Sequence, residues 1–259
     1  MKSLSPLLAL LLLAPPLWGA EHSLSPQEKY AERSQIAEEW SFKTLPYHLE
    51  QDLKESFWNR WHLIGLAAGT GLTLGLHQAD NNVRDRFSSN PRWEGADPVF
   101  NLVGNPIAMG VTTLLATTAF KLAKLPKATW VAGTMLEALF VTDALTFSLK
   151  FATQRERPDH SDTLSFPSSH ASGSFALASV TEVTLGPLWG IPAYGLAGVI
   201  AFSRIDSNEH YLSDTAAGAL LGTLVGLGTA RFHKKQKPDF FILPTATQSG
   251  IMVNLARSF

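Results

Sequence analysis

The sequence predicts an all-α fold: a helical bundle of about six core helices, with an amphipathic N-terminal helical segment and a small C-terminal β-hairpin. Apolar segments at about His62–His77, Phe100–Ala123, Ala128–Leu149, Ala171–Leu188, Ile191–Phe202 and Ser213–Phe232 have the length and Ala/Leu/Gly content of helices. Short polar or Pro/Gly-bearing links separate them, such as Leu125-Pro126-Lys127 and Gly190-Ile191-Pro192. Near the end, Phe240–Leu243 and Ile251–Leu255 are β-favouring runs on either side of Gln248-Ser249-Gly250, a turn signal.

Taken in chain order, residues 1–20 read as a secretory signal. Lys2 precedes the apolar run Leu7–Leu17 and the small pair Gly19-Ala20. Trp18 spoils the cleavage pattern, so an uncleaved anchor is the alternative. Residues 21–60 are polar, with Tyr30, Trp40, Phe42, Tyr47 and Phe57 scattered at spacings that suit one or two amphipathic helices. The core extends over 61–235, and 236–259 form the tail.

Composition narrows the function. Lys+Arg total 21 against 22 Asp+Glu, a formal charge of −1, which argues against a nucleic-acid binder. There is no cysteine, so disulfides, zinc–thiolate sites and thiol nucleophiles are excluded. Charged residues make up 17% of the chain, below the roughly 25% usual in soluble domains. Mean hydropathy is nevertheless only +0.05. Composition therefore leaves both a soluble and a membrane-embedded bundle open.

Charge placement bears on that choice. Glu137, Asp143 and Glu182 lie within apolar segments and count against spanning. Lys121, Lys124 and Lys127, together with Arg231, Lys234, Lys235 and Lys237, fall at one end of an alternating bundle, as positive-inside topology requires. An exported N-terminus and six spans would put the motif-bearing end in the cytoplasm. A first segment that does not cross, or a soluble bundle, removes the conflict and places that end in the periplasm.

Three clusters carry the chemistry. Lys150 and Arg157-Pro158 follow the third apolar segment; Pro167-Ser168-Ser169-His170 precedes the fourth; Ser203-Arg204, His210 and Asp214 join the fifth to the sixth. All three fall at the same end of an up-and-down bundle. Singly, each has an ordinary explanation. Lys150 could offset a helix dipole, Ser168 and Ser169 could cap a helix, and His210 and Asp214 could be a surface i,i+4 pair.

Together they meet the needs of a phosphoryl group, whose transfer is mostly positioning and electrostatics. Lys150, Arg157 and Arg204 supply cations, and arginine can bond two phosphate oxygens at once. Ser168, with the backbone N–H groups of Ser169 and His170, stands at a helix N-terminus, a natural anion site. Such a pocket needs no divalent metal or other cofactor. His210 is the expected nucleophile, with Asp214 one turn later to accept its Nδ1–H and fix the tautomer. His170 is the expected general acid and then base.

Lys-x6-Arg-Pro, Pro-Ser-Ser-His and Ser-Arg-x5-His-x3-Asp closely resemble the three motifs of the type 2 phosphatidic acid phosphatase superfamily, which includes vanadium haloperoxidases and bacterial acid phosphatases. The resemblance covers roughly Phe100 to Arg231. It implies a helical bundle and the roles given above to Lys150, Arg157, Ser168, His170, Arg204, His210 and Asp214. One residue departs from it: Ser169 stands where the family usually has glycine. Its N–H survives, while the added side chain could narrow the pocket.

The expected substrate is a phosphate monoester or pyrophosphate, lipid-linked and processed at a membrane. A soluble periplasmic acid phosphatase is the alternative, and a vanadium-dependent haloperoxidase a more distant one. Among lesser candidates, His77, Asp80, Asn81, Arg84 and Asp85 read as a polar loop near the pocket mouth. Glu137 and Asp143 are expected to find partners inside the bundle.

Overall fold

The computed structural model describes residues 45–58, 60–88, 92–93, 97–235, 240–247 and 250–257. Residues 1–20, read as a signal, and residues 21–44 upstream of the first helix lie outside them. Nine helices occur among the described residues: α1 (Leu45–Phe57), α2 (Arg60–His77), α3 (Asp80–Ser88), α4 (Asp97–Gly104), α5 (Pro106–Leu122), α6 (Pro126–Thr153), α7 (Ser169–Leu185), α8 (Pro187–Asp206) and α9 (Leu212–Lys235). Strands β1 (Phe240–Thr247) and β2 (Gly250–Arg257) pair antiparallel, with Phe240 opposite Arg257 and Thr247 opposite Gly250.

The bundle is all-α, as the apolar segments predict. One of those segments is not continuous. Phe100–Ala123 breaks between α4 and α5, which are bent by 55°. Pro106 lacks the N–H that would continue the ladder, and the Asn105 side chain caps α5 by accepting from Ile107 N at 3.0 Å and Ala108 N at 3.1 Å. Likewise α7 stops at Leu185, where Gly186 takes φ +89° and Pro187 starts α8.

α7 is the centre of the molecule, packed against α9, α8 and α6. Its closest neighbour is α9, which presents Gly218, Gly222 and Gly226 one turn apart. A Cβ on these would lie 2.4 Å from Ser168 O, 2.0 Å from Ser172 O and 2.5 Å from Ala176 O. Hydrogen at those positions lets the two backbones touch. The α7 N-terminus is thereby fixed against the start of α9, where Asp214 stands.

α6 and α8 are long and apolar enough to cross a membrane, and α4 with α5 qualifies if the bent pair is one span. Large apolar side chains lie exposed along these helices, including Ile107, Leu122, Phe140, Phe151 and Ile191.

Candidate active site

The three sequence clusters do meet at one end of the bundle. α6 ends at Thr153, with Gln154 in the left-handed region (φ 45°). The chain then folds back on itself: Ser165 N donates to Arg155 O at 2.9 Å, and Arg157 N to Asp162 O at 3.0 Å. Lys150, buried in the last turn of α6, donates from Nζ to Leu164 O and, at 3.4 Å, to Ser165 O. The lysine therefore holds the loop that carries Ser165.

Ser168 caps α7, accepting from Ala171 N at 3.5 Å, while its own N–H donates to Asp214 O at 3.0 Å. Ser169 is the first residue of α7, and it is absent from the residues with positive φ. The backbone here is ordinary helix, so this position places no demand on glycine's extra freedom. His170 follows, with Nε2 at 2.9 Å from Asn101 Oδ1 and 3.2 Å from Asn101 O. Gly104, one turn after Asn101, permits this approach, since a Cβ there would lie 3.0 Å from the His170 ring. Burial, with the charges of Arg204 and His210, pushes the His170 imidazole down to about 3.

His210 is enclosed between two sets of partners. On one side Arg157 Nη1 donates towards Nε2 at 3.5 Å. On the other, Nδ1 lies 3.5 Å from Ser165 Oγ and 3.7 Å from Asp214 Oδ2. The direct Nδ1–H bond to Asp214 expected from the i,i+4 spacing is thus replaced by an ion-pair distance. The reason is that the Asp214 oxygen facing the ring is already doubly engaged. Asp214 Oδ2 accepts from Ser165 Oγ at 2.5 Å and Tyr211 N at 2.9 Å, and Oδ1 from Arg155 Nη1 at 2.6 Å. Ser165 links the two. Burial is the main cause holding the His210 imidazole below its ordinary value.

Arg157 and Arg204 converge through one carboxylate. Glu209 Oε2 is 3.4 Å from Arg157 Nη1, and Glu209 Oε1 pairs with Arg204 Nη2. Arg157 Nε also donates to Asp162 at 2.8 Å, and Arg204 Nη1 to Asp97 at 3.0 Å. Arg204 is fully buried, yet its Nε has no hydrogen-bond partner. A donor so placed is suited to an incoming anion.

Five residues of this arrangement escaped the sequence reading: Arg155, Ser165, Glu209, Asn101 and Asp97. Arg155 lies between Lys150 and Arg157 in the first motif, and Glu209 directly precedes His210, so proximity to a motif was the available signal. Nothing local pointed to Asn101 or Ser165. Of the lesser candidates only part joins the site. Asp80 is buried, accepts from Ser213 N at 2.9 Å and Ser213 Oγ at 2.6 Å, and pairs with Arg155 Nη2 at 2.7 Å. His77 Nδ1 lies 2.9 Å from Asp80 Oδ2. Arg84 and Asp85 pair with each other at 2.8 Å, and Asn81 is exposed.

Residues 131–238 match the family model described as the PAP2 superfamily. The PAP2 match takes in all but the first five residues of α6 and all of α7, α8 and α9, hence all three motifs. Over 99 residues the chain is 34% identical to the lipid A 1-phosphatase of Porphyromonas gingivalis, covering 34% of this chain and 22% of that protein. Over 97 residues it is 39% identical to the decaprenylphosphoryl-5-phosphoribose phosphatase of Mycobacterium tuberculosis, 34% of this chain and 52% of that one. The aligned part therefore spans between about a fifth and about half of these relatives. Among solved structures, the first transmembrane PAP2-type phosphatidylglycerolphosphate phosphatase from Bacillus subtilis matches with TM-score 0.48 and 19% identity, over 72% of this chain and 98% of that one. Aquifex aeolicus LpxE matches with TM-score 0.45 and 20% identity, over 55% and 89%.

Proposed function

We propose that this chain is a metal-independent, lipid-linked phosphate hydrolase that works through a phosphohistidine on His210. The carrying observation is His210 itself: a buried ring with Nε2 turned to Arg157 and Nδ1 turned to Ser165 and Asp214. A phosphoryl group bound by Arg157, Arg204, Lys150, the Ser168 hydroxyl and the N–H groups of Ser169 and His170 would meet a neutral, oriented nucleophile.

The steps balance simply. Nε2 of His210 forms a bond to phosphorus as the ester P–O bond breaks, and the leaving oxygen takes, by way of His170, the proton that a monoanionic phosphoryl group brings into the site. Water then attacks phosphorus, His170 accepts its proton, and the N–P bond breaks to release phosphate. Asn101 holds His170 Nε2 in the resting site, so the leaving oxygen must take Asn101's place on that nitrogen.

A lipid-linked substrate is favoured over a soluble ester by Phe147, Leu149 and Phe151, which lie exposed on either side of Lys150. The relatives' names point the same way. With α6 and α8 in a bilayer, the site opens on the side opposite Lys121, Lys124 and Lys127, which positive-inside topology makes the periplasm. The deciding experiment measures phosphate release from a panel of lipid phosphates and a small soluble ester, for the native chain and His210→Ala. Native turnover with an acid-labile phosphoenzyme, both absent in His210→Ala, is expected. Turnover by His210→Ala would remove the histidine mechanism, and a preference for the soluble ester would remove the lipid reading.

A further inference from the structure

Beside the N-terminal half of α6, His48, Asp52, Glu137 and His233 form a buried cluster that the phosphate chemistry does not use. Glu137 lies 13 residues before Lys150 in the same helix, about 20 Å along its axis, so this is a separate place in the fold. His48 and Asp52 share one face of α1 at i,i+4, Glu137 comes from α6 and His233 from α9. All four residues are at most 5% exposed.

The distances suit a cation. His48 Nδ1 is 3.2 Å from Glu137 Oε1, His233 Nε2 is 2.7 Å from Glu137 Oε2, and 4.0 Å from Asp52 Oδ1. One ligand atom from each of His48, Glu137 and His233 lies within 4.8 Å of the others. Four ligands at zinc-like bond lengths around a tetrahedral ion sit about 3.3–3.4 Å apart, inside the observed range.

Asp52 supplies the independent observation. It is fully buried, and neither carboxylate oxygen has a hydrogen-bond partner. A carboxylate kept from water with nothing to bond, beside a second buried carboxylate, is an electrostatic debt that a divalent cation would cancel. We propose that His48, Asp52, Glu137 and His233 bind one first-row divalent metal ion, of the imidazole-and-carboxylate class that zinc exemplifies. Each ring keeps a single proton, on the nitrogen facing away from the ion. The ion clamps α1 onto α6 and α9, in a chain whose lack of cysteine rules out a disulfide there. The inference stands apart from the phosphatase reading.

The test uses the full chain, stripped with chelator and titrated separately with Zn(II), Co(II), Ni(II) and Mn(II), with metal content, calorimetry and thermal unfolding as readouts. Expected are about one equivalent per chain, a rise in Tm on metal addition and, for Co(II), a visible absorption band of four-coordinate geometry. Asp52→Asn and His48→Gln should each weaken binding by about tenfold or more while phosphate release persists. No stoichiometric binding by the native chain would overturn the proposal, and so would binding that both substitutions leave unchanged. The native titration decides the matter even if a variant fails to fold.

Discussion

Arg155 and Asp214 are joined at 2.6 Å, and the same guanidinium reaches Asp80 at 2.7 Å. One arginine thus ties the carboxylate behind His210 to the start of α3. Asp80→Asn removes half of that hold without touching the phosphate pocket. The expected outcome is a kcat reduced by about ten- to a hundredfold with KM changed by less than about threefold, because misorientation weakens attack more than binding. Steady-state kinetics on the lipid phosphate that the panel selects would check it. A loss confined to KM would show that Asp80 acts on binding instead.

Glu209 pairs with both Arg157 and Arg204, the cations assigned to phosphate. An incoming phosphoryl group must displace or share that carboxylate. Glu209→Gln, which keeps shape and removes charge, should tighten inhibition by inorganic phosphate or vanadate by about five- to tenfold. Unchanged or weaker inhibition would mean that Glu209 positions the arginines.

The pH profile follows from the two histidines. Burial holds His210 below the ordinary histidine value of about 6.5, and the neutral ring is the proposed nucleophile. A lowered value keeps the ring neutral into more acidic solution, so the acid limb of kcat/KM should lie below pH 6.5. His170, held at about 3, is unprotonated in the free site above that pH. The leaving-group proton must then arrive with a monoanionic phosphate, and kcat/KM should fall as pH rises through the substrate's second ionisation near about 6. An acid limb at or above 6.5 would contradict the His210 assignment.

Ser169 begins α7 with helical backbone, at the position where the superfamily that the motifs resemble usually has glycine. Ser169→Gly should therefore alter kcat by less than about threefold and lower stability by about 0.5–1 kcal/mol, since glycine is the poorer helix former. A large gain in kcat would show instead that the serine side chain obstructs the pocket.

EDTA should leave phosphate release unchanged in short assays at moderate temperature, because the proposed pocket meets the phosphoryl group with side chains and backbone N–H groups alone. If the α1 cluster holds an ion, chelation should show itself as a lower Tm and not as a lower initial rate. Immediate loss of turnover would place a metal in the reaction itself.

The helical bundle and the meeting of three motifs at one end could be read from the chain alone, because apolar length, proline and glycine breaks and motif order are local properties. The placement of His210, His170 and Asp214 at that end was legible for the same reason: residue type and motif order are properties of the chain alone. What the chain could not state is who occupies whose lone pairs. Asp214 Oδ2 is engaged by Ser165 and Tyr211 N, so it meets His210 at 3.7 Å and not in a direct bond. Asn101 reaches His170 only because α4 and α5 break at Asn105, and Asp52, His48, Glu137 and His233 come from three helices up to 185 residues apart in numbering (48 to 233). Glu137 finds its expected partners there, whereas Asp143 Oδ1 finds none. Sequence spacing fixes angles around one helix; only packing between helices decides which polar atoms come within 3 Å and which are left buried and unpaired.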